Sequence, residues 1–314
     1  MTQAQQLQST GLTGAILVTG GSGTLGHAIV RTAEREGWDC SFTIYSRSEL
    51  RQAQMRIRHP RCRYVLGDVR DAVQTAAAIA GHDLVIHAAA MKRIPECEEQ
   101  PAECYATNVL GSINVVRACI LGGVKRCVGI STDKACKAVT AYGASKLAME
   151  KLFQAQPVEP CVFTLVRYGN VVASNGSVIP LWRERAQQGK PLAITSRQAT
   201  RFWMAPSDAV ALIRRATIAD VGCVVVPKMH ALALPDMAEL VAPGANTVEI
   251  GLRSCEKIHE DLIHEDEQTT EGAVFIVWPY AQDGGNRIRY TSDTAPRLSR
   301  DQFLAMLEEA ESYA

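Results

Sequence analysis

A tyrosine and a lysine four residues apart, preceded by a threonine, an aspartate and a lysine, are the residues of this chain best suited to chemistry. The pair is Tyr142 and Lys146, and the triplet before it is Thr132, Asp133 and Lys134. On a helix the i, i+4 spacing places the phenol and the ammonium on one face. Lys146 is then expected to stabilise a phenolate and to lower the pKa of Tyr142 from about 10. The whole set offers more acid and base groups than the oxidation of an alcohol needs.

The adjacent Asp133 and Lys134 allow two interpretations. As neighbours they favour a carboxylate and an ammonium, which would make them a structural ion pair. Burial in a catalytic site can instead shift both pKa values, so that the acid carries a proton and the amine is neutral. Only the second state lets the pair act as a proton donor and a proton acceptor.

A glycine-rich turn between the first predicted strand, residues 15–19, and the first predicted helix, residues 24–35, indicates a nucleotide site. The spacing G-x-x-G-x-x-G lets the backbone approach a pyrophosphate at a helix N-terminus. The alternative is a turn that binds no ligand. The residues predicted to hold a cofactor here are Gly20, Ser22, Gly23, Thr24, Leu25 and Gly26.

The end of the second predicted strand, residues 40–45, favours NADP over NAD. An NAD site usually places an acidic residue about 20 residues beyond the glycines, where it binds the ribose 2′-hydroxyl. This chain has Ser46 and Arg47 there, with Arg51 one turn later. A hydroxyl and a guanidinium suit a 2′-phosphate.

Further cofactor contacts are expected where the third and fourth predicted strands end. Asp68 and Val69 follow residues 63–66 and are predicted to contact the adenine. Ala88, Ala89 and Ala90 end the strand predicted over residues 84–88. Their small side chains would let the nicotinamide ribose approach.

The alternation of short β-rich and helical segments predicts an α/β fold with a doubly wound parallel sheet. Strands are predicted at 126–130 and 162–168, and helices at 102–121 and 141–154. After residue 173 the pattern loosens, which predicts a smaller C-terminal substrate lobe. We predict a disordered lead over 1–13, a dinucleotide-binding domain over 14–173 plus roughly 200–226, and a substrate lobe over roughly 174–199 and 227–314.

Composition argues against several classes of protein. The chain has 33 basic and 33 acidic residues, so no overall field favours nucleic acid or an anionic membrane. No apolar run approaches the ~20 residues of a membrane span. The ten cysteines contain no C-x-x-C pair, which favours reduced thiols in a cytoplasmic protein. His259 and His264 are spaced i, i+5, which separates them around a helix, so we expect no metal site.

Longer motifs resemble the extended short-chain dehydrogenase/reductase superfamily. The segments are HAAAMKRIPECEEQPAECYATNVLG, STDKA, AYGASK, LVRYGNVVASNGSVIP, TRFWM and EIGLRSCEKIHEDLI. The series closely resembles the soluble UDP-N-acetylglucosamine 4,6-dehydratases of the 5-inverting type, over residues 14–306. The resemblance implies a Rossmann-like fold, a UDP-sugar substrate and a place in bacterial polysaccharide biosynthesis. A homo-oligomer is also expected.

The resemblance also assigns roles by position. Tyr142 would be the catalytic base and Lys146 its partner, which also binds the nicotinamide ribose. Thr132 would hydrogen-bond the sugar 4-hydroxyl, and Asp133 and Lys134 would carry out the dehydration. The two arginines among the substrate contacts would neutralise the UDP diphosphate. The predicted substrate contacts are Lys92, Asn170, Arg201, Arg253 and Glu256.

The implied reaction begins when Tyr142 accepts the 4-hydroxyl proton while C4 is oxidised. The 4-ketone acidifies the C5 hydrogen, which Lys134 removes as a neutral amine. Asp133, in its acid form, protonates the departing 6-hydroxyl. Reduction at C6 restores the cofactor, and a proton delivered to the opposite face of C5 inverts that centre.

Two segments depart from the family pattern, and several functions besides the inverting dehydratase stay open. Cys136 and Lys137 stand where the family usually has Asn-Pro or similar, and Ser254 and Cys255 replace Pro-Gly, a turn dipeptide. The nearest rival function is a nucleotide-sugar 4-epimerase, which needs no acid and base at C5 and C6. A C5-retaining 4,6-dehydratase, a 5,6-dehydratase and an NADP-binding regulatory module without turnover are also compatible with these motifs.

Overall fold

The structure, a computed structural model, describes residues 11–174, 176–281 and 284–312. Residues 1–10 of the predicted disordered lead lie outside the described residues. Leu12, at the end of that lead, is buried in the main hydrophobic core.

Strands and helices alternate through the first half of the chain. The elements are β1 (Gly14–Thr19), α1 (Thr24–Glu36), β2 (Cys40–Ser46), α2 (Glu49–Arg58), β3 (Arg63–Leu66), α3 (Ala72–Ile79), β4 (Leu84–His87), α4 (Ile94–Glu99), α5 (Pro101–Tyr105), α6 (Gly111–Leu121), β5 (Arg126–Ile130), α7 (Ala141–Gln154) and β6 (Val162–Val166). A π-helical turn, Ala106–Leu110, joins α5 to α6, and a 3-10 turn, Asp133–Ala135, follows β5. The predicted bounds of β3, β5 and α7 are confirmed, whereas α2, α3 and α4 were not predicted.

Shorter elements make up the second half of the chain. They are β7 (Asn170–Val171), α8 (Val178–Gln187), β8 (Leu192–Ile194), β9 (Thr200–Met204), α9 (Pro206–Ala216), β10 (Val224–Val226), β11 (His230–Ala233), α10 (Leu234–Val241), β12 (Thr247–Glu249), β13 (Asp261–Ile263), β14 (Gln268–Glu271), β15 (Phe275–Val277), β16 (Asn286–Arg287), β17 (Tyr290–Thr291) and α11 (Arg300–Ser312).

A ten-stranded sheet forms the centre of the protein, in the order β16-β14-β15-β10-β6-β5-β4-β1-β2-β3. The seven strands from β3 to β10 pair in parallel. Ile16, Leu17 and Val18 of β1 are fully buried, as expected for a parallel strand covered on both faces. The strand order reverses between β1 and β4, and ligands bind at this switch point in doubly wound folds. The predicted fold class is confirmed.

The strands at the other edge of this sheet come from residues that were predicted to lie in the smaller lobe. β15 pairs antiparallel with β10, and β14 and β16 extend the sheet further, although residues 227–314 were predicted to lie in the smaller lobe. Antiparallel neighbours need no crossover helix, so they lack the strand–helix alternation on which the prediction rested.

A second hydrophobic core combines residues predicted for the smaller lobe with Trp203, which was predicted for the dinucleotide-binding domain. Trp182 of α8, Met237 of α10 and Phe303 of α11 are buried there together with Trp203 of β9. The rings of Trp203 and Phe303 meet edge to face, with centroids 6.1 Å apart. Two-stranded sheets β12-β8 and β13-β17 and a three-stranded sheet β11-β9-β7 lie outside the large sheet.

The segment Pro101–Leu121 is long and apolar enough to cross a membrane by length and composition, contrary to the sequence expectation. In the fold, 56% of its apolar window is buried inside the protein. Its α6 portion packs against α3 and α7. These contacts make it a core helix of the α/β domain.

Candidate active site

One cavity of about 690 Å³ extends along the carboxyl ends of the parallel strands and joins the glycine-rich turn to the tyrosine–lysine pair. The predicted site residues that line it are Gly20, Ser22, Gly23, Thr24, Leu25, Ser46, Arg47, Val69, Ala88, Ala89, Ala90, Lys92, Thr132, Lys134, Tyr142, Lys146 and Asn170. Apart from Gly26, Asp68 and Asp133, the predicted cofactor and catalytic residues therefore line a single cleft, at the switch point of the sheet.

The glycine-rich turn brings backbone against backbone beneath this cavity. Gly20 has φ +65°, and a Cβ there would lie 2.8 Å from the backbone nitrogen of Ala89. Gly23 caps α1 without a side chain, which leaves amides of the first helical turn to face a ligand. Gly26 does not line the cavity, because it faces the turn itself, where a Cβ would lie 1.8 Å from the oxygen of Gly21. This cradle fits the pyrophosphate of a nicotinamide dinucleotide.

Hydroxyl and guanidinium groups occupy the end of β2. The hydroxyl of Ser46 is buried and accepts hydrogen bonds from Ser22 Oγ at 2.9 Å and from Gln52 Nε2 at 3.1 Å. Arg47 is 52% exposed, and its guanidinium lies 3.5 Å from Asp68. Arg51 also lines the cavity.

Of the two predicted adenine contacts, one lines the cavity and the other does not. Val69 lines the cavity, whereas the carboxylate of Asp68 accepts hydrogen bonds from Arg70 at 2.9 and 2.7 Å. Burial raises the pKa of Asp68, but these hydrogen bonds outweigh burial and hold that pKa below its ordinary value. The carboxylate of Asp68 is thus engaged by its own loop.

The position of Tyr142 follows from the start of α7. Thr140 caps the helix by accepting a hydrogen bond from the amide of Gly143 at 3.0 Å. A Cβ on Gly143 would lie 2.2 Å from the carbonyl oxygen of Lys134, so glycine lets the helix pack against the 3-10 turn. That packing brings Lys134 close to the phenol of Tyr142.

The predicted effect of Lys146 on Tyr142 is wrong for this structure. Burial raises the pKa of Tyr142 to about 12, and the groups that oppose burial are Lys134 and Thr132. The amine of Lys146 instead lies 3.2 Å from the sulfur of Met149. Burial lowers the pKa of Lys146 to about 8. The i, i+4 spacing brought the two side chains to one face, but Lys134 is the cation that acts on the phenol.

Asp133 is fully buried behind this pair. Its Oδ1 accepts hydrogen bonds from Thr132 Oγ1 and Lys134 Nζ, both at 2.9 Å. Within the described part of the chain its Oδ2 has no hydrogen-bond partner. Burial raises the pKa of Asp133, nearby Glu260 adds to the increase, and Lys134 opposes both. The environment therefore shifts the titration of Asp133 toward the acid form.

Glu260 is a buried carboxylate that the sequence predictions did not include. Its Oε1 lies 3.4 Å from Lys134 Nζ and 3.8 Å from Arg201 Nε. Burial opposes its charge, but Lys134, Arg201 and Lys257 lower its pKa below the ordinary value. Glu260 stands in the EKIHEDLI segment of the family resemblance, and no spacing in the sequence connects it to Lys134.

A second cavity of about 70 Å³ lies beyond Lys134, which lines both cavities. Arg253 and Glu256 line the small cavity together with Arg201. Arg201 is buried, and its guanidinium donates to Glu256 Oε1 at 2.8 Å and to the carbonyl oxygen of Ile258 at 2.8 Å. The predicted substrate contacts are thus divided between two cavities that share Lys134 as a lining residue.

Two further predicted contacts, Lys92 and Asn170, lie in the large cavity. Asn170 Nδ2 donates to the carbonyl oxygen of Phe202 at 3.1 Å, which ties β7 to β9. Asn108, which was not predicted, lies in the π-helical turn and holds the loop that contains Lys92. Its amide accepts from Met91 N at 2.8 Å and donates to Met91 O at 2.9 Å. A π-helical turn at a functional site is the signal that could have indicated it.

No cluster of three or more potential metal ligands exists among residues 11–174, 176–281 and 284–312. His259 and His264 flank strand β13 and do not lie on a helix. His259 Nδ1 lies 2.8 Å from Thr200 Oγ1, and His264 faces Asp266 at 3.2 Å. Each histidine therefore has its own structural partner.

Comparison with known proteins identifies the family. Residues 16–276 match the family described as polysaccharide biosynthesis protein. This chain belongs to that family. It is 41% identical over 260 residues to UDP-N-acetylglucosamine 4,6-dehydratase (inverting) of Campylobacter jejuni subsp. jejuni serotype O:2, covering 80% of this chain and 78% of that protein. It is also 36% identical over 292 residues to UDP-glucose 4-epimerase of Rickettsia bellii, covering 88% and 83% respectively.

Solved structures agree with this family assignment. Pen from Bacillus thuringiensis matches with a TM-score of 0.87 and 30% identity, over 95% of this chain and 98% of that chain. The predicted resemblance is confirmed. Lys137 and Cys255, which lie in the two segments expected to depart from the family pattern, adopt φ of 48° and 63°. Both residues hold a left-handed conformation that favours glycine or asparagine.

Proposed function

We propose that this protein dehydrates UDP-N-acetylglucosamine to a UDP-4-keto-6-deoxy-N-acetylhexosamine, with NADP as cofactor and inversion at C5. The observation that carries the proposal is the position of Lys134 beside Tyr142 in the cleft that contains the dinucleotide cradle, with the buried Asp133 hydrogen-bonded to Lys134. Elimination of water needs an acid and a base next to the oxidised carbon, whereas oxidation alone does not. The relatives named as inverting dehydratases support this substrate and outcome.

The side chains have distinct tasks in the proposed reaction. When bound, the nicotinamide takes up and returns the reducing equivalents, so the sugar undergoes no net redox change. Tyr142 accepts the proton of the 4-hydroxyl, with Thr132 and Lys134 lowering its pKa against the effect of burial. Once C4 is a ketone, Lys134 removes the acidified C5 proton. Asp133 protonates the departing 6-hydroxyl, for which its raised pKa suits it.

Lys134 must lose its own proton before it can act as a base. Burial disfavours its charge, but the two neighbouring carboxylates outweigh burial and hold its pKa above the ordinary value. Glu260, whose Oε1 lies 3.4 Å from the Lys134 amine, is a carboxylate that can accept this proton while Asp133 keeps its own. This resolves the conflict between the adjacent acid and amine, because the proton has a place to go.

A 4-epimerase is the main competing function, since relatives with that name also match most of the chain. An epimerase has no use for an acid and a base at C5 and C6, so Asp133 and Lys134 favour the dehydratase. A C5-retaining 4,6-dehydratase and a 5,6-dehydratase would use the same groups, and the product distinguishes them. A cytoplasmic location and a homo-oligomer stay predictions.

Incubation with UDP-N-acetylglucosamine and NADP in deuterated water tests the proposal. The expected product, followed by NMR, is a 4-keto-6-deoxy sugar with deuterium at C5 and ring couplings of the inverted configuration. Formation of UDP-N-acetylgalactosamine alone would replace the proposal with the epimerase. Uninverted couplings, or an alkene without a 6-methyl group, would identify the retaining or 5,6-dehydratase.

The NADP preference is supported by Ser46, Arg47 and Arg51 at the end of β2. We expect Arg47→Ala to weaken NADP binding about tenfold or more, since a charge-assisted hydrogen bond contributes about 1.5–3 kcal/mol. NAD binding should change little. Arg61→Ala is the matched control, because Arg61 is an exposed arginine outside the cavity. Calorimetric titration measures the binding of NADP and of NAD to each variant. Tighter binding of NAD than of NADP to the unaltered protein would contradict the predicted preference for NADP.

A further inference from the structure

We propose that Glu260 is a positioning residue for the dehydration, which balances the charge of Lys134 and takes up its proton so that Asp133 stays in its acid form. The inference rests on the proposed function and adds a third group to the pair that carries out elimination. It follows from the contacts around Lys134, which lies between two buried carboxylates.

The geometry is that of one amine shared by two acids. Lys134 Nζ lies 2.9 Å from Asp133 Oδ1 and 3.4 Å from Glu260 Oε1. Asp133 is 0% exposed and Glu260 is 4% exposed, so water screens neither carboxylate. Each has one oxygen, Asp133 Oδ2 and Glu260 Oε2, that is buried without a hydrogen-bond partner in the described ranges of the chain.

The surrounding charges decide which acid carries a proton. Asp133 is faced by Lys134, Glu260, Thr132 and the phenol of Tyr142. The charged groups around Glu260 are Asp133, Lys134, Arg201 and Lys257. Among the residues that the structure describes, Lys134, Arg201 and Lys257 lower the pKa of Glu260, whereas Lys134 is the cation that lowers the pKa of Asp133. Because two like charges in one dry site push one acid to its neutral form, Asp133 takes the proton and Glu260 keeps the charge.

The backbone holds Glu260 in this place from both sides. Its amide donates to Ser292 Oγ at 2.9 Å, and the amide of Ser292 donates to its carbonyl oxygen at 2.9 Å. The hydroxyl of Ser292 lies 2.7 Å from that of Thr200, and both hydroxyls are buried. A charged group held by a rigid outer shell acts at a defined distance.

The protons of the dehydration step balance when Glu260 takes part. Before elimination the cluster holds a proton on Asp133 and one on Lys134, while Glu260 is an anion. Lys134 passes its proton to Glu260 and is then neutral, without any change in the net charge of the buried cluster. It takes the C5 proton as the C5–H bond breaks. Asp133 gives its proton to the 6-hydroxyl, the C6–O bond breaks, and water leaves.

The experiment measures the pH dependence of dehydration for the full chain with NADP and UDP-N-acetylglucosamine. The alkaline limb of kcat follows loss of the proton from Asp133. In Glu260→Gln the anion that favours this proton and the acceptor for the Lys134 proton are both gone. We therefore expect a lower kcat at every pH and an alkaline limb that moves to lower pH by about one unit, which adds about tenfold to the loss of rate at a fixed alkaline pH. KM should change little, and transient absorbance of reduced nicotinamide should still report oxidation at C4.

Two variants separate charge from structure. Glu260→Asp keeps the anion and is expected to restore the limb toward the position in the unaltered enzyme, even if its rate is lower. Glu265→Gln is the matched control, because this 52% exposed carboxylate of the same segment pairs with Lys137 at the surface. It should leave the limb in place.

Each outcome decides between the two proposals. A product other than the 4-keto-6-deoxy sugar from the unaltered enzyme would overturn the proposed function and the inference with it. A dehydrating enzyme whose Glu260→Gln variant keeps the same pH limb would overturn the inference alone. If Glu260→Gln does not fold, Glu260→Asp provides the test. An alkaline limb that differs from that of the unaltered enzyme no more than the limb of Glu265→Gln does supports the role of the charge. An alkaline limb displaced to lower pH contradicts that role.

Discussion

Replacement of Arg167 by methionine is expected to destabilise the protein strongly, because it breaks a buried ion-pair network. Arg167 directly follows β6 and is 2% exposed. Its guanidinium donates to Glu150 of α7 at 2.9 and 2.6 Å, to Glu267 at 2.9 and 2.8 Å, and to the carbonyl oxygen of Leu262 at 3.0 Å. The network thereby joins the large sheet to the segment that follows Glu260.

The magnitude follows from what the substitution leaves behind. Glu150 is 1% exposed, so without Arg167 its carboxylate would be a buried charge that retains a 2.5 Å hydrogen bond from Ser131. Removal of one partner from a buried pair typically costs about 3–5 kcal/mol. We therefore expect Arg167→Met to lower the free energy of unfolding by about that amount.

Urea titrations followed by circular dichroism measure this free energy. Lys125→Met is the control, because Lys125 and Asp83 form a 2.8 Å ion pair while 79% and 41% exposed. Exposed pairs contribute about 0–1 kcal/mol. Addition of Glu150→Gln to Arg167→Met removes the more deeply buried of the two carboxylates left unpaired, so the double variant should be more stable than Arg167→Met by at least about 1 kcal/mol.

If Arg167→Met lowered the free energy of unfolding no more than Lys125→Met does, the buried network would contribute no more than an exposed ion pair, and the prediction would be refuted. It would also fail if Glu150→Gln destabilised the Arg167→Met background, since the loss would then come from packing and not from an unpaired charge.

Two further predictions concern backbone strain and pH. Cys255 is exposed and has φ +63°, a backbone conformation that glycine adopts without strain. We therefore expect Cys255→Gly to raise the free energy of unfolding, measured by urea titration, by about 0.5–1 kcal/mol, whereas Cys255→Ser should not raise it. Equal free energies for the two variants would contradict the strain. Burial lowers the pKa of His87 to about 3, so between pH 6.5 and 3 the unfolded chain binds a proton that the folded chain does not, and stability falls with acidification by about 1.4 kcal/mol per pH unit. His87→Gln should remove this slope between about pH 6 and 4, and equal slopes in both proteins would show that His87 is not neutral in the fold. His27, whose pKa burial lowers to about 4, contributes with the same sign in both proteins and cancels in the difference.

Local features of the chain were predictable because neighbouring residues decide them. The cap at Thr140 and the apolar spacing that follows define α7 to the residue, and the glycines at 20 and 23 define the turn beneath the cavity. The parallel pairing of β1 to β6 also follows from strand–helix alternation. In each case the signal lies within one strand, helix or turn.

Other features depend on residues that only the fold brings together. Glu260 reaches Lys134 because β13 packs against the 3-10 turn after β5, although the two segments are far apart along the chain. Similarly, β14, β15 and β16 extend the large sheet through antiparallel pairing, which leaves no helical alternation to detect.

The sequence by itself determined which acid and base groups are present: Tyr142 and Lys146 on one helix, with Asp133 and Lys134 before them. The tertiary structure decided the directions in which their pKa values shift. Burial raises the pKa of Tyr142, and Lys134 rather than Lys146 opposes that increase. Desolvation and charge–charge interaction depend on depth and distance in three dimensions, and neither quantity can be read from the order of residues along the chain.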